Sequence, residues 1–200
     1  YNFCVFSDNR PILDILNVVP PKNIIAIRNH NILLFLWDML GMFIKVRKLG
    51  INSTIDMEFF SRATAIMAYL SGATMRVGLH RFNSEQPYRG DLLTHKVHYN
   101  PFLHTSKAYL ALVKSLEADP NVRPLLKERI SDHEILVPSF APSELELKSI
   151  DELLTKKFSS NLPKRTILLN PNASDMLPLR KWPTERFLEL GKRLLIQEDL

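Results

Sequence analysis

The segment from residue 166 to residue 186 combines a turn of small residues, two cations and the start of a helix. A predicted strand over residues 166–170 leads into a turn that contains Asn172, Ala173 and Ser174, and Arg180 and Lys181 follow. Free backbone N–H groups in a turn and at a helix N-terminus attract an anion, and the two cations would neutralise it. Ligands of open parallel sheets bind beyond the carboxyl ends of strands, where this turn is expected. The segment therefore predicts a phosphate site.

A simpler interpretation of the same segment stays open. Arg180 and Lys181 could be a solvated basic pair, and Trp182-Pro183 could start the helix, since proline favours the first helical position.

A second candidate site lies where a predicted strand over residues 53–59 passes into a helix that begins at Arg62. Strand alternation would place Asp56 and Glu58 on one face, where a carboxylate could accept bonds from a sugar hydroxyl or orient Arg62. The alternative gives Ser61 a capping role and makes Glu58 and Arg62 a helix-start ion pair. The first interpretation makes Glu58, Ser61 and Arg62 acceptor-binding residues.

A polar stretch over residues 79–101 is predicted to be a long loop, and such loops are often functional. Arg89, Asp91 and His95 in this loop could bind an acceptor, although an ordinary surface loop is the alternative. The nearby histidines form no helical pair like that of HExxH and have no cysteine partner, so we expect no metal site.

Composition and missing motifs narrow the class of protein. In 200 residues, 46% are hydrophobic and 24% are charged, which excludes a disordered or collagen-like chain. The single cysteine, Cys4, excludes an internal disulfide, and the net charge of +5 suits an anionic ligand or membrane surface better than nucleic acid. The sequence contains no GxGxxG, GxxxxGK[ST] or GxSxG motif, which disfavours dinucleotide oxidoreductases, P-loop NTPases and α/β-hydrolases.

The elements that would position these sites alternate between strand and helix. Strands are predicted over residues 3–6, 23–27, 53–59 and 75–78, and helices over residues 10–17, 33–49, 62–70 and 105–117. This alternation predicts an α/β fold with a mostly parallel sheet. The apolar helix over residues 33–49 is interrupted by Asp38 and is too short for a bilayer span, so we expect a buried amphipathic helix, with an interfacial helix as the alternative.

Proline-punctuated segments suggest two domains. We predict a first Rossmann-like domain over residues 1–140, a linker over residues 141–163 and the start of a second domain over residues 164–200. Ser143 and Glu146 form a plausible capping box for the linker helix, which should run to about Phe158. We expect an internal piece of a longer protein, because an apolar run follows Tyr1 directly and the last helical pattern carries no stop signal.

Both candidate sites resemble glycosyltransferase family 9, the heptosyltransferases of lipopolysaccharide assembly. The resemblance to the family's acceptor-side half rests on Asp56-Met57-Glu58-Phe59-Phe60-Ser61-Arg62-Ala63-Thr64-Ala65-Ile66, then Leu70-Ser71-Gly72-Ala73 and Arg76-Val77-Gly78. The resemblance to the opening of its nucleotide-sugar domain rests on Asn170-Pro171-Asn172-Ala173-Ser174 and Arg180-Lys181-Trp182-Pro183-Thr184-Glu185-Arg186-Phe187. The two regions match in order and separation and together span most of the chain.

The resemblance implies a GT-B architecture of two Rossmann-like domains, with acceptor on the first and an ADP-heptose-like donor on the second. It implies an inverting transfer that needs no metal or other cofactor and that delivers the sugar to a glycolipid or saccharide. By resemblance, Arg180 falls where the family places its diphosphate-binding cation, and Ala173 and Ser174 fall in the phosphate-side turn. A cytoplasmic location with peripheral contact with anionic lipid would follow.

The departures from the family pattern also carry expectations. The Gly-Asp segment with the family's usual general base has no counterpart here and is expected before Tyr1, so no catalytic residue is named. The motif that grips the nucleotide would follow Leu200, and we expect no turnover from these 200 residues alone. The insertion Asp175-Met176-Leu177-Pro178-Leu179 suggests that the sugar could differ from heptose. A non-catalytic nucleotide- or glycan-binding module is the alternative function.

Overall fold

The computed structural model describes residues 1–59, 61–80, 89–158, 167–171 and 181–196. The chain divides into two compact units, Tyr1–Phe140 and Ala141–Leu200.

The first unit is a mixed α/β structure whose strands all pair in parallel. Strands β1 (Phe3–Phe6) and β2 (Ile24–Ile27) form one pair, and β3 (Ser53–Asp56), β4 (Met75–His80) and β5 (His95–His98) form a three-stranded sheet in that order. The helices are α1 (Arg10–Leu16), α2 (Ile32–Lys48), α3 (Arg62–Leu70) and α4 (Thr105–Lys114). The predicted α/β class with parallel strands is confirmed.

The register of the three-stranded sheet brings the carboxyl ends of its strands together. Asp56 at the end of β3 pairs with Gly78 of β4, and His80 at the end of β4 pairs with His98 at the end of β5. This carboxyl edge of the sheet is where an α/β fold places a ligand.

Strand β5 is a correction to the prediction of an uninterrupted loop over residues 79–101. Its sequence, His95-Lys96-Val97-His98, contains one apolar residue and so lacks the alternating pattern that predicts a strand. Pairing with β4 makes it a strand, and Val97 joins a core cluster with Val77, Leu79, Leu112 and Leu125.

Strand β3 ends three residues earlier than predicted. The Asp56 carboxylate accepts a hydrogen bond from the Glu58 backbone N–H at 3.1 Å, which turns the chain directly after the strand. Asp56 and Glu58 therefore do not alternate along one strand face, and the prediction that they do is wrong. Asp56 is buried, whereas Glu58 is exposed.

Helix α2 packs one face against β2 and begins at a well-defined cap. The Asn31 side chain accepts hydrogen bonds from the backbone N–H groups of Leu33 and Leu34, at 2.9 and 3.3 Å. Met42 and Val46 are buried on this face together with Ile27 of β2. Among the residues that the structure describes, none of the helices is long and apolar enough to cross a membrane.

An ion pair between Arg28, directly after β2, and Asp38 of α2 joins the two elements. The Asp38 carboxylate accepts hydrogen bonds from the Arg28 guanidinium at 2.6 and 2.8 Å and from the Arg28 backbone N–H at 3.0 Å. The bonds from the guanidinium have the largest effect, and together with the bond from the backbone N–H they lower the pKa of Asp38 to about 2. The sequence identified Asp38 only as a break in an apolar run.

We expect the carboxyl of Asp38 to titrate near pH 2 in a carbon NMR titration, and Arg28→Ala to raise this midpoint towards the ordinary aspartate value. Because the pKa in the folded state is depressed, the pair stabilises the fold above the ordinary aspartate pKa of about 3.9. That stability is lost as the pH falls towards about 2. Arg10→Ala is the control and should leave the Asp38 midpoint unchanged. An ordinary midpoint in the unmodified chain would contradict the pairing.

The second unit contains α5 (Glu144–Phe158) and α6 (Thr184–Ile196). The predicted capping box at the start of α5 is confirmed: the Ser143 backbone N–H donates to the Glu146 carboxylate at 2.7 Å, and the Glu146 N–H donates to the Ser143 hydroxyl at 3.3 Å. Residues 167–171 form no strand, contrary to the prediction for residues 166–170. A strand needs a neighbour to pair with, and no strand is present among the described residues of this unit.

Candidate functional site

A buried ion pair lies at the carboxyl edge of the three-stranded sheet. The Arg89 guanidinium contacts the Asp56 carboxylate, and the two side chains are only 2% and 3% exposed. Arg89 also donates to the backbone carbonyls of Ser61 and Glu58 at 3.0 Å each and of Leu79 at 3.1 Å. A fifth bond reaches the Thr64 hydroxyl at 3.1 Å.

These bonds use all five N–H donors of the guanidinium. Arg89 was predicted to bind an acceptor, but its donors are taken up within the chain. Its side chain instead ties the turn between β3 and α3 to the end of β4. Arg89 is therefore a positioning residue for this turn.

Asp56 is held in the same network. Burial raises the pKa of its carboxyl, and the charge of Arg89, the Thr64 hydroxyl and the Glu58 N–H all act in the opposite direction. Its carboxylate is buried and also accepts the Glu58 backbone N–H.

The turn itself presents Glu58 and Arg62 to solvent. Both are exposed, and within the described part of the chain no ion pair joins them, so the predicted alternative of a helix-start pair is wrong. The Ser61 hydroxyl accepts the Thr64 N–H at 3.3 Å, which confirms the capping role for Ser61. The turn therefore exposes one negative side chain, Glu58, and one positive side chain, Arg62, and the Arg89 guanidinium holds its backbone carbonyls.

A shallow depression of about 270 Å³ opens beside this turn. Its lining consists of Arg62, Ile66, Arg89, Gly90 and Leu92. The exposed guanidinium of Arg62 makes this the place near the sheet edge where an anionic or hydroxyl-rich ligand could be held.

Two tyrosine rings pack against Phe59, the residue that follows Glu58. The Phe59 ring lies 5.6 Å from Tyr99, edge to face, and 5.8 Å from Tyr109. Burial raises the pKa of Tyr109, and the charge of Glu58 raises it further. The sequence analysis did not predict Tyr99 or Tyr109 as site residues. They reach Phe59 only because the chain returns to the sheet through β5.

The remaining acceptor candidates, Asp91 and His95, do not line the depression. Asp91 is exposed and forms an ion pair with Lys96. His95 is buried in β5, and its Nδ1 lies 2.8 Å from the Thr94 hydroxyl, so it does not belong to a loop surface as predicted. Direct binding of an acceptor by Asp91 or His95 stays a prediction.

Two further histidines stand side by side at the carboxyl edge. His80 is buried and His98 is exposed at the ends of neighbouring strands. Burial lowers the pKa of His80, and the positive charge of Lys96 lowers it further. Their adjacency depends on β5 and could not be inferred without it. No group of three metal-ligating side chains occurs within the described ranges.

The predicted diphosphate turn falls largely outside the described residues. Asn172, Ala173, Ser174 and Arg180 lie there, whereas Lys181 is described and exposed, directly before α6. Trp182 packs edge to face on Phe187 with ring centroids 4.7 Å apart. This is a hydrophobic staple at the start of α6. Because α6 begins at Thr184, Pro183 directly precedes the helix and does not occupy its first position as predicted. The staple leaves the role of the two cations untested.

Comparison of the chain with protein-family models, with curated proteins and with solved structures finds no match.

Proposed function

We propose that this chain is part of an inverting glycosyltransferase, related to family 9 and of GT-B architecture, that transfers a heptose-like sugar from a nucleoside diphosphate. The acceptor would be a glycolipid or saccharide, and the transfer would need no metal. The first unit would bind the acceptor and the second unit the donor.

The observation that supports the proposal is the turn after β3. It lies at the carboxyl edge of a parallel sheet, and the buried Arg89–Asp56 pair holds its backbone. It presents Glu58 to solvent, and Arg62 lines a depression. The same turn opens the run of residues that resembles the acceptor side of family 9. Sequence resemblance and placement in the fold therefore point to one location.

The polar groups at this turn suit a sugar acceptor. The exposed Glu58 carboxylate can accept hydrogen bonds from sugar hydroxyls, and Arg62 can donate to a hydroxyl or to an anionic substituent. The neighbouring Tyr99 and Tyr109 supply apolar ring surface. No general base is assigned, because neither Glu58 nor Asp56 has been placed against a reacting hydroxyl.

In the proposed donor site, positive charge would stabilise the leaving group. When the bond to the sugar breaks, negative charge develops on the departing diphosphate, and fixed N–H donors and cations stabilise it. Asn172, Ala173, Ser174, Arg180 and Lys181 are the residues proposed for this task.

Calorimetric titration of the longest protein that contains this chain with ADP, UDP and GDP tests the donor site. We expect one nucleotide to bind and Arg180→Ala to weaken its binding by about 1.5–3 kcal/mol, which is roughly 10- to 150-fold, because a charge-assisted contact is lost. The matched control is Arg193→Ala in the last turn of α6, where Arg193 pairs with Glu189 at 2.5 Å. This control should leave the affinity unchanged.

Two results would contradict the proposal. If none of the three nucleotides binds, the second unit has no donor site of this kind. If Arg180→Ala and Arg193→Ala behave alike, Arg180 does not contact the diphosphate. Binding without transfer, in the longest protein that contains this chain, would favour the non-catalytic module.

A further inference from the structure

The outward face of α2 is apolar along most of its length. A helix turns by about 100° per residue, so Leu33, Leu36, Trp37, Leu40 and Ile44 all fall within an arc of about 100°. The opposite arc holds Met42 and Val46, which are buried against β2. Helix α2 is therefore apolar on its solvent side as well as on its core side, unlike an ordinary surface helix.

The side chains on this outward face are solvent-exposed. Leu33 is 73% exposed and Trp37 is 71% exposed, and Leu36, Leu40 and Ile44 are each about half exposed. A contiguous apolar stripe of this kind usually marks a surface that something else covers.

The stripe continues into a groove between α2 and α3. Leu40, Phe43, Ile44, Arg47 and Leu70 line a shallow volume of about 260 Å³. The groove is apolar except for Arg47, whose guanidinium donates to the Leu70 carbonyl at 3.0 Å.

Cations border the carboxyl-terminal end of the stripe. Arg47 and Lys48 lie in the last turn of α2 on or beside the stripe, whereas Lys45 lies on the Asp38 side, where it reaches the Lys22 carbonyl at 3.3 Å. The two helices contain a single acid, Asp38, and Arg28 engages it on another side of the helix. The face therefore combines apolar area with uncompensated positive charge.

We propose that this face of α2 docks the protein on the surface of an anionic phospholipid bilayer. Leu33, Trp37, Leu40 and Ile44 would enter the boundary between headgroups and acyl chains, with Trp37 at the depth that tryptophan favours. Arg47 and Lys48 would contact anionic headgroups. Charge favours lipid over a second copy of the chain, since two copies would bring the same cations together.

The test is co-sedimentation with vesicles of phosphatidylcholine alone or with about 30% phosphatidylglycerol. The background is Trp182→Phe, which leaves Trp37 as the only tryptophan of the two in the chain. We expect binding to the anionic vesicles, a blue shift of the Trp37 emission on binding, and weaker binding at high salt.

Two variants probe the two halves of the face. Leu33→Ser with Leu40→Ser should weaken binding about tenfold or more, because two apolar side chains no longer leave water. Lys48→Gln should weaken it about fivefold. The matched control is Ile12→Ser with Ile15→Ser on α1, since both isoleucines are about half exposed. This control should bind as the parent does.

Several results would overturn the proposal. These are equal binding to neutral and anionic vesicles, an unshifted Trp37 emission, or equal losses in the α1 control and the α2 variant. A further contradicting result would come from sedimentation equilibrium. If the chain is a dimer and the double variant Leu33→Ser with Leu40→Ser is a monomer, a second copy covers the face. None of these results bears on nucleotide binding, so the proposed function is tested separately.

Discussion

Asp56→Asn is expected to lower the free energy of unfolding by about 3–5 kcal/mol, the largest effect of any single substitution considered for this protein. The amide keeps the shape of the carboxyl but not its charge. Arg89 would then stay buried and positively charged with no counterion, because arginine cannot lose its proton at any accessible pH. The penalty is that of an uncompensated charge held away from water.

Urea unfolding followed by circular dichroism measures this loss, and Asp14→Asn is the matched control. Asp14 pairs with Arg10 at 3.3 Å, one helical turn away, and both side chains are more than 40% exposed. An exposed pair of this kind contributes at most about 0.5 kcal/mol. If Asp56→Asn cost no more than the control, the carbonyls around Arg89 would be sufficient to hold its charge, contrary to our account.

The Asp56 substitution also bears on the candidate site. Because Arg89 holds the carbonyls of Glu58 and Ser61, loss of its counterion should loosen the turn that presents Glu58 and Arg62. We therefore attribute to Asp56 and Arg89 the geometry of the site and not direct contact with a ligand.

Leu112→Ala is expected to destabilise the protein by about 2–5 kcal/mol. Leu112 lies in α4, is 0% exposed and packs in one cluster with Val77, Leu79, Val97 and Leu125. Truncation removes apolar contacts and leaves a cavity that the parallel strands behind it cannot close.

The adjacent residue provides the control for this prediction. Val113 occupies the next position of the same helix but is 45% exposed, so Val113→Ala should change stability by about 0.5 kcal/mol or less. The midpoints of urea unfolding should separate the two variants while the denaturant slope stays unchanged. Similar midpoints would show that α4 does not pack on β4 and β5 as described.

The sequence predicted most helices and strands of the first unit because their signals are local. Helices α2, α3 and α4 repeat apolar residues every three or four positions, and Ser61, Ser143 and Glu146 act on N–H groups within three residues of themselves. Such contacts need no knowledge of the rest of the chain.

The errors occurred where partners are distant. Strand β5 exists because β4 pairs with it, and its own sequence shows no strand pattern. The end of β3 is set by a turn at Asp56 that competes with continued pairing.

The sequence by itself determined the α/β class, the order of the elements of the first unit other than β5, and the residues at the turn after β3. Only the tertiary structure decided what those residues do, because Asp56 and Arg89 meet across 33 positions of the chain. It likewise decided that Leu33 and Trp37 face outward while Met42 and Val46 face the core, although all four are apolar. Periodicity fixes which residues share a helix face, but only packing against neighbouring elements selects the face that leaves water.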